Sequence, residues 1–353
     1  MTRQTIELPQ LRMPYPAHVN SHFPALREEN ETWARRMGML DCGALSACGA
    51  IWDTSQFHAM AVDRLTAWTV PDASLADLRL VHRLMLWTLA WDDHFAFKFK
   101  RTGDLPGARA FTARLHFFLS PVPGAEVPDP VNSVEKGLVD LQYDLLRSTP
   151  AHMRQELNRA LRRYVDAGVQ ELVNNLAGRV PDLIEYALFR RESFAAYTAP
   201  CFVELSTGAA IPESIRRTRT VSALFDAFMD HMGLANDIVS YQREVDDEHD
   251  VNNLVVVLKA SLGVSVQEAL YAAADLVDAR LRYFEHLAQT ELPPVVRQAG
   301  LNPGERADLE AWLKGALGFL AGLYAWYTSA RRYAPEGGPL AERHPTAEVV
   351  PVG

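Results

Sequence analysis

A chain of 353 residues with 48% apolar and 22% charged side chains has an ordinary globular composition, long enough to bury one large core. Its formal net charge of -9 excludes a general nucleic-acid binder, and any anion site must then be built from local cations or a metal. The three cysteines, Cys42, Cys48 and Cys201, are too few for a disulfide framework, show no zinc-ligand spacing and suit a reducing cytoplasm.

Met1 to Pro16 carries no basic-then-apolar run, so neither a signal peptide nor a membrane anchor is expected. Residues 1–24 read as a partly ordered N-terminal segment. The first clear helical stripe is Val81, Leu84, Met85, Thr88 and Leu89, and Asp92 continues it. Pro121, Pro123, Pro128 and Pro130 predict a loop, and Leu138, Leu141 and Leu145 begin another helix. Helical periodicity then predicts helices over 156–176, 183–197, 219–245, 264–288 and 306–333. Pro293, Pro294, Asn302, Pro303 and Gly304 predict loops between the last of these. The longest apolar run, Gly315 to Tyr327, is too short to span a bilayer and reads as a core helix. Residues 25–334 are expected to form one all-α domain, followed by a flexible tail over 335–353.

The chemistry concentrates at Asn236, Ser240 and Glu244. At i, i+4 and i+8 their oxygens share one helical face at about 6 Å spacing, an all-oxygen set suited to a hard cation such as Mg²⁺. The row extends an apolar stripe of Phe225, Phe228, Met229, Met232 and Gly233, so it must look into a cavity or be satisfied there. Asp92-Asp93 alone would read as a solvated helix end. Opposite the first row, the pair instead suggests a bundle whose interior opens onto a metal site. Arg190-Arg191 and Arg331-Arg332-Tyr333 read either as ordinary cationic helix turns or as clamps for phosphate oxygens. Asp246-Asp247-Glu248-His249-Asp250 reads as a solvated loop, and His231, roughly 140° from the Asn236 face, is not expected to be a ligand.

Together these features resemble a class I terpene synthase of the microbial, single-domain type. Asn236-Asp237-x-x-Ser240-x-x-x-Glu244, with Arg243 before the glutamate, matches that family's NSE motif. Asp92-Asp93 resembles the start of its aspartate-rich motif, and Arg332-Tyr333 its C-terminal RY pair. Arg190, 46 positions before Asn236, stands where the family carries its diphosphate-sensing arginine, and Ser193 and Phe194 fall at the linker and effector positions. Residues Pro14 to Leu40, with His18-Val19-Asn20 and Trp33, and Asn253-Leu254 are also similar to the family, so the resemblance runs over roughly residues 14–334. One departure stands out. The family usually carries another acid four or five residues after the first aspartate, where this chain has Ala96 and Phe97.

The resemblance implies an all-α bundle around a central cavity and a cluster of three Mg²⁺ ions. Asp92 would hold metal on one side and Asn236, Ser240 and Glu244 on the other. Arg190, Arg243, Arg332 and Tyr333 would donate to the diphosphate, while Asp93 would bond an arginine. Trp326, six before Arg332, is the expected cation-facing aromatic, with Phe95 second. Leu86 and Leu89 stand where many relatives place such rings. Trp87 and Phe57 are expected to be core packing. The implied reaction is ionisation and cyclisation of an isoprenyl diphosphate, farnesyl diphosphate first and geranylgeranyl diphosphate second. The competing readings are a chain-elongating prenyltransferase, against which the NSE-type second motif argues, and a non-catalytic relative, supported only by Ala96 and Phe97. No nucleic-acid or membrane partner is expected, and a homodimer stays open beside a monomer.

Overall fold

The computed structural model describes residues 6–40, 49–119, 126–247, 249–333 and 350–351. Cys42, Cys48, Pro121, Pro123, Glu248 and the tail other than Val350–Pro351 lie outside the described residues, as do the side chains of Asp246, Asp247 and Tyr333.

Residues 6–22 run along the body without forming a helix. Leu11 and Ala17 are buried, Arg12 and Tyr15 both reach Glu285, and the Asn20 amide donates to the carbonyls of Val70 and Ala73 at 2.9 Å each. Helix α1 (Phe23–Met37) follows, with a proline in its first turn. Its Trp33 is buried and donates to Asp140. A reciprocal Asp53–Gln56 box starts α2 (Thr54–Met60), which a left-handed Ala61 separates from α3 (Val62–Thr69). Helix α4 (Leu75–Phe95) begins at a Ser74 cap and carries the predicted stripe into the core. Then come α5 (Leu105–Phe118), α6 (Ser133–Ser148), α7 (Ala151–Ala177), α8 (Leu183–Ser193), α9 (Ala199–Thr207) and the single turn α10 (Glu213–Arg216). The chain ends in α11 (Arg219–Tyr241), α12 (Leu254–Leu262), α13 (Val266–His286), α14 (Leu292–Ala299) and α15 (Pro303–Ser329). The described strand is confined to a two-residue parallel pairing of His18–Val19 with Val350–Pro351.

Several boundaries differ from the sequence expectations, the following ones for a local reason. The helix predicted over 183–197 stops at Ser193, because Ala195 turns left-handed (φ 56°) before a short 3₁₀ turn leads into α9. Pro293, Pro294 and Pro303 do not mark loops. They occupy first turns of α14 and α15, where a missing N–H costs no helical bond. Arg331–Tyr333 is not the end of the last helix but a separate 3₁₀ turn after it. The helix predicted over 219–245 is α-helical to Tyr241 and widens to a π turn over Gln242–Asp247. A second π turn, Ala96–Lys100, prolongs α4.

Helix α11 runs through the middle of the bundle. Its Phe228 meets Phe284 of α13 and Trp312 and Phe319 of α15, all with ring centroids within 6.5 Å. Burying rings of this size contributes roughly 2–3 kcal/mol each, and their edge-to-face contacts add about 0.5–1.5 kcal/mol per pair. Helix α15 lies so close to α3 that a Cβ on Gly322 would sit 2.1 Å from the Trp68 carbonyl oxygen. This approach brings Trp326 and the turn after α15 over the end of α4. Among the described residues no single helix is long and apolar enough to cross a membrane; the pair Leu254–Leu262 and Val266–Ala299 passes that test only jointly, across a 114° bend.

Candidate active site

A large cavity opens at the ends of α4 and α11 and encloses roughly 1140 Å³, its open mouth included. Its deep wall is apolar: Leu65, Met85, Leu89, Phe202, Met232 and Phe319. Its mouth is charged. Four carboxylates and four cations line it, so the protein alone offers an incoming anion no net positive charge.

Asp92 sits on α4 at that mouth, 3.6 Å from Arg332 and partly exposed to the cavity. Asp93 does something different. Its carboxylate takes two bonds from Arg332 (2.9 and 3.1 Å), one from Arg243 (2.8 Å) and one from the Trp52 indole (2.6 Å). Burial alone would raise its pKa, but the facing guanidinia of Arg332 and Arg243 hold it well below the usual carboxylate range. Asp93 is therefore an anchor for two arginines, from the turns that follow α11 and α15, and does not itself line the cavity.

Asn236 on α11 and Glu244 just after it face the cavity, while Ser240 is buried and does not line it. The Ser240 hydroxyl donates to the Asn236 carbonyl at 2.8 Å, which directs its proton back into the helix and leaves its lone pairs as acceptors. Glu244 stands on the π turn rather than on the α-helix. Its carboxylate accepts from Asn253 at 3.0 Å. The same Asn253 caps α12 and donates to the Asp237 carbonyl at 2.9 Å. Asp237 points the other way, away from the cavity, and accepts from the Tyr186 hydroxyl (2.6 Å) and the Leu254 N–H (3.1 Å).

Arg190 comes from the last turn of α8 and is buried. It pairs with Asp237 at 2.7 Å and donates to the Asn236 amide oxygen at 2.9 Å. Burial works against its charge, but Asp237, Tyr186, Glu244 and Glu171 together outweigh it, and the guanidinium holds its proton more tightly than usual. The close pass of α11 depends on Gly233, whose added Cβ would lie 3.1 Å from Arg190 Cγ. Beyond Arg190, the break at Ala195 turns Ser193, Phe194, Ala195 and Ala196 into the cavity wall. The Phe194 ring lies 5.3 Å from the Arg190 guanidinium.

The structure thus gathers Asp92, Asn236, Glu244, Arg190, Ser193, Phe194, Arg243, Arg332 and Trp326 around one cavity. Trp326 is held by its indole N–H on the Met60 carbonyl, at 2.8 Å. Phe95 is a correction. It stacks on Trp91 at 4.9 Å and packs on Phe99 within the core, so it does not reach the cavity. Trp87 and Phe57 are core, as expected. Leu89 lines the cavity, but Leu86 does not, and Met85 takes the neighbouring place. Neither Ala96 nor Phe97 faces it; the Phe97 ring is exposed beside Lys98 and Arg101.

Sequence reasoning missed a polar cluster on the same wall. Lys100 bridges Glu171 (2.7 Å) and Asp250 (2.8 Å), and all three are nearly buried and line the cavity. The solvated loop expected at Asp246–Asp250 is thus corrected at its end, where Asp250 is a buried ion-pair partner. Burial pushes the Glu171 carboxyl up to about 7, against the attraction of Lys100. No sequence signal marked Glu171, which only the packing of α7 brings here. His231 is buried away from the cavity, as expected of a residue off the Asn236 face, and burial lowers its pKa to about 4.

A helical bundle whose cavity places acids and arginines at its mouth and apolar rings in its depth defines the class I terpenoid synthase architecture. Residues 83–283 match the family described as terpene synthase family 2, C-terminal metal binding, and the chain belongs to that family. It is a class I terpene cyclase of the microbial type, a lyase acting on an isoprenyl diphosphate. The matched region contains Asp92, Arg190 and the Asn236–Glu244 row. The chain is similar to pristinol synthase of Streptomyces pristinaespiralis, with 27% identity over 95% of this chain and 87% of that one. It is also similar to the farnesyl-diphosphate-cyclising 4-epi-cubebol synthase of Streptosporangium roseum, with 26% identity over 89% of this chain and 90% of that one. Among solved structures, germacradien-4-ol synthase of Streptomyces citricolor shares the fold, with a TM-score of 0.76 at 21% identity over 90% of this chain and 98% of that one.

Proposed function

We propose that this enzyme cyclises farnesyl diphosphate in a Mg²⁺-dependent reaction. The observation that carries the reading is the charge balance of the mouth. Oxygen donors from α4 and α11 face one cavity, and its four cations are matched by four carboxylates, so a diphosphate needs additional positive charge to bind. Asp92, Asn236, Ser240 and Glu244 fit a hard divalent cation by donor type, being oxygen throughout. They would hold the metal cluster, three ions by resemblance, and Mg²⁺ when bound supplies the charge that neutralises the departing diphosphate.

The chain's own residues account for the rest. Arg190, Arg243, Arg332 and Tyr333 donate to diphosphate oxygens, and Asp93 holds two of those arginines in place. The allylic C–O bond breaks, its electron pair leaves with the diphosphate, and an allylic cation remains in the apolar depth. Leu89, Phe202 and Phe319 exclude the water that would quench it. The Trp326 and Phe194 rings offer their negative faces to positive charge. The relative whose name carries farnesyl diphosphate supports that chain length. The buried, free thiol of Cys201 suits a reducing cytoplasm.

The test is incubation of the full chain with Mg²⁺ and farnesyl diphosphate, followed by gas chromatography. A cyclic hydrocarbon or alcohol is expected. A longer diphosphate would indicate prenyl transfer, and a product from geranylgeranyl diphosphate alone would correct the chain length. No turnover with any substrate from geranyl to geranylfarnesyl diphosphate overturns the enzyme reading. Asn236→Ala and Glu244→Ala should each abolish turnover, and wild-type rates in either would overturn the metal assignment.

A further inference from the structure

The Lys100 cluster lies on the side of the cavity where the aspartate-rich motif is incomplete. On an ideal α-helix Lys100, eight residues after Asp92, would point about 80° away from it. The π turn changes this. Its wider closure, from the Arg101 N–H to the Ala96 carbonyl at 3.0 Å, uses more residues per turn and swings Lys100 back to the cavity face that Asp92 occupies.

From there Lys100 reaches across the mouth. Its ammonium pairs with Asp250 Oδ2 at 2.8 Å, while Asp250 Oδ1 accepts from the Asn252 N–H and amide, also at 2.8 Å. The Asp250 N–H donates to the Glu244 carbonyl at 2.8 Å, closing the turn on which Glu244 stands. Three residues further on, Asn253 holds the Glu244 carboxylate. Asn252 ties the same segment to α7 through the Glu171 carbonyl and Asn175. A continuous chain of contacts therefore runs from the end of the Asp92 helix to the Glu244 carboxylate.

We propose that Lys100 is a positioning residue for Glu244: its ion pair with Asp250 fixes the turn that presents this carboxylate, joining the two halves of the metal site where Ala96 and Phe97 provide no second acid. The geometry explains why a lysine is tolerated beside a metal site. Paired with Glu171 and Asp250, it adds no net positive charge to the wall, and it lies outside the oxygen donor set. The inference rests on the metal-dependent reading above.

The test compares the full-length wild type with Lys100→Met, Lys100→Arg and Asp250→Asn. Two quantities are read: binding of inorganic diphosphate in the presence of Mg²⁺ by titration calorimetry, and the Mg²⁺ concentration giving half-maximal turnover of farnesyl diphosphate. Lys100→Met and Asp250→Asn should each weaken Mg²⁺-dependent diphosphate binding and raise the Mg²⁺ requirement on the order of tenfold, the scale seen when the support of a metal ligand is lost. At saturating Mg²⁺, kcat should recover to within a few-fold, and Lys100→Arg should restore most of the affinity. An unchanged Mg²⁺ requirement in both variants overturns the proposal, as does a fall in kcat that saturating Mg²⁺ leaves unrepaired. If Lys100→Met does not fold, Asp250→Asn decides alone, since it keeps the shape of the turn. Failure of the wild type itself to bind Mg²⁺ and diphosphate would instead overturn the functional reading on which this one stands.

Discussion

Asp93 is the most informative residue to remove, because its role is an anchor rather than a ligand. Asp93→Ala leaves the Arg332 guanidinium, only 7% exposed, without its bidentate partner. Removing one member of such a buried pair costs about 3–5 kcal/mol. Arg243 is 26% exposed and water can replace part of its bond, so its share is under about 1 kcal/mol. The Trp52 indole N–H also loses its acceptor, at about 1–3 kcal/mol if it stays dry. The expected loss is about 4–9 kcal/mol, measured by urea unfolding followed through tryptophan fluorescence. Asp93→Asn, which keeps an acceptor of the same shape, should lose less. The double variant Asp93→Ala/Arg332→Met should be more stable than Asp93→Ala alone, because the buried guanidinium that lost its bidentate partner is gone. A loss below about 1 kcal/mol in Asp93→Ala, or strict additivity in the double variant, would refute the anchoring role.

Further outcomes follow from single contacts. Gly322→Ala should cost about 3 kcal/mol or more in the same unfolding assay, since its Cβ would meet a backbone carbonyl that has no rotamer by which to yield. Ala195→Gly should raise stability by about 0.5–1 kcal/mol, relieving a left-handed residue that carries a Cβ; a destabilised variant would contradict the strain. Trp326→Leu should lower the yield of cyclised product roughly thirtyfold in favour of acyclic products, since a desolvated cation–π contact is worth about 2 kcal/mol; an unchanged product profile would remove Trp326 from the cation-facing wall. Chelation with EDTA should abolish turnover and added Mg²⁺ restore it, and activity persisting in EDTA would refute metal dependence.

The division between sequence and structure is clearest on α4 and α11. Side chains spaced at helical periods share a face whatever surrounds them. The all-α class and the placing of Asp92 and Asn236 at the cavity ends of apolar stripes were therefore legible in the sequence alone, whereas the pairing of Asp93 with an arginine was implied only by the family resemblance. Trp326 was legible for a different reason, its distance from the RY pair. Phe95 was misread because one turn beyond Asp92 the helix presents it to Trp91 and Phe99, not to the cavity.

What depended on departures from the regular helix stayed hidden. Periodicity assumes 3.6 residues per turn. The π turns at Ala96–Lys100 and Gln242–Asp247 break that count, and the first of them brings Lys100, which the periodicity did not mark, to the mouth. The left-handed Ala195, which ends α8 and exposes Phe194 to the cavity, carries no glycine or proline to announce it. Asp250 looked like the end of an acidic surface run, and only its encounter with Lys100, 150 positions away in sequence, makes burying it tolerable. The sequence by itself determined the helices, the oxygen row and the family. Only the tertiary structure decided which of the charged residues meet, because an ion pair depends on distance in space, and the sequence records only distance along the chain.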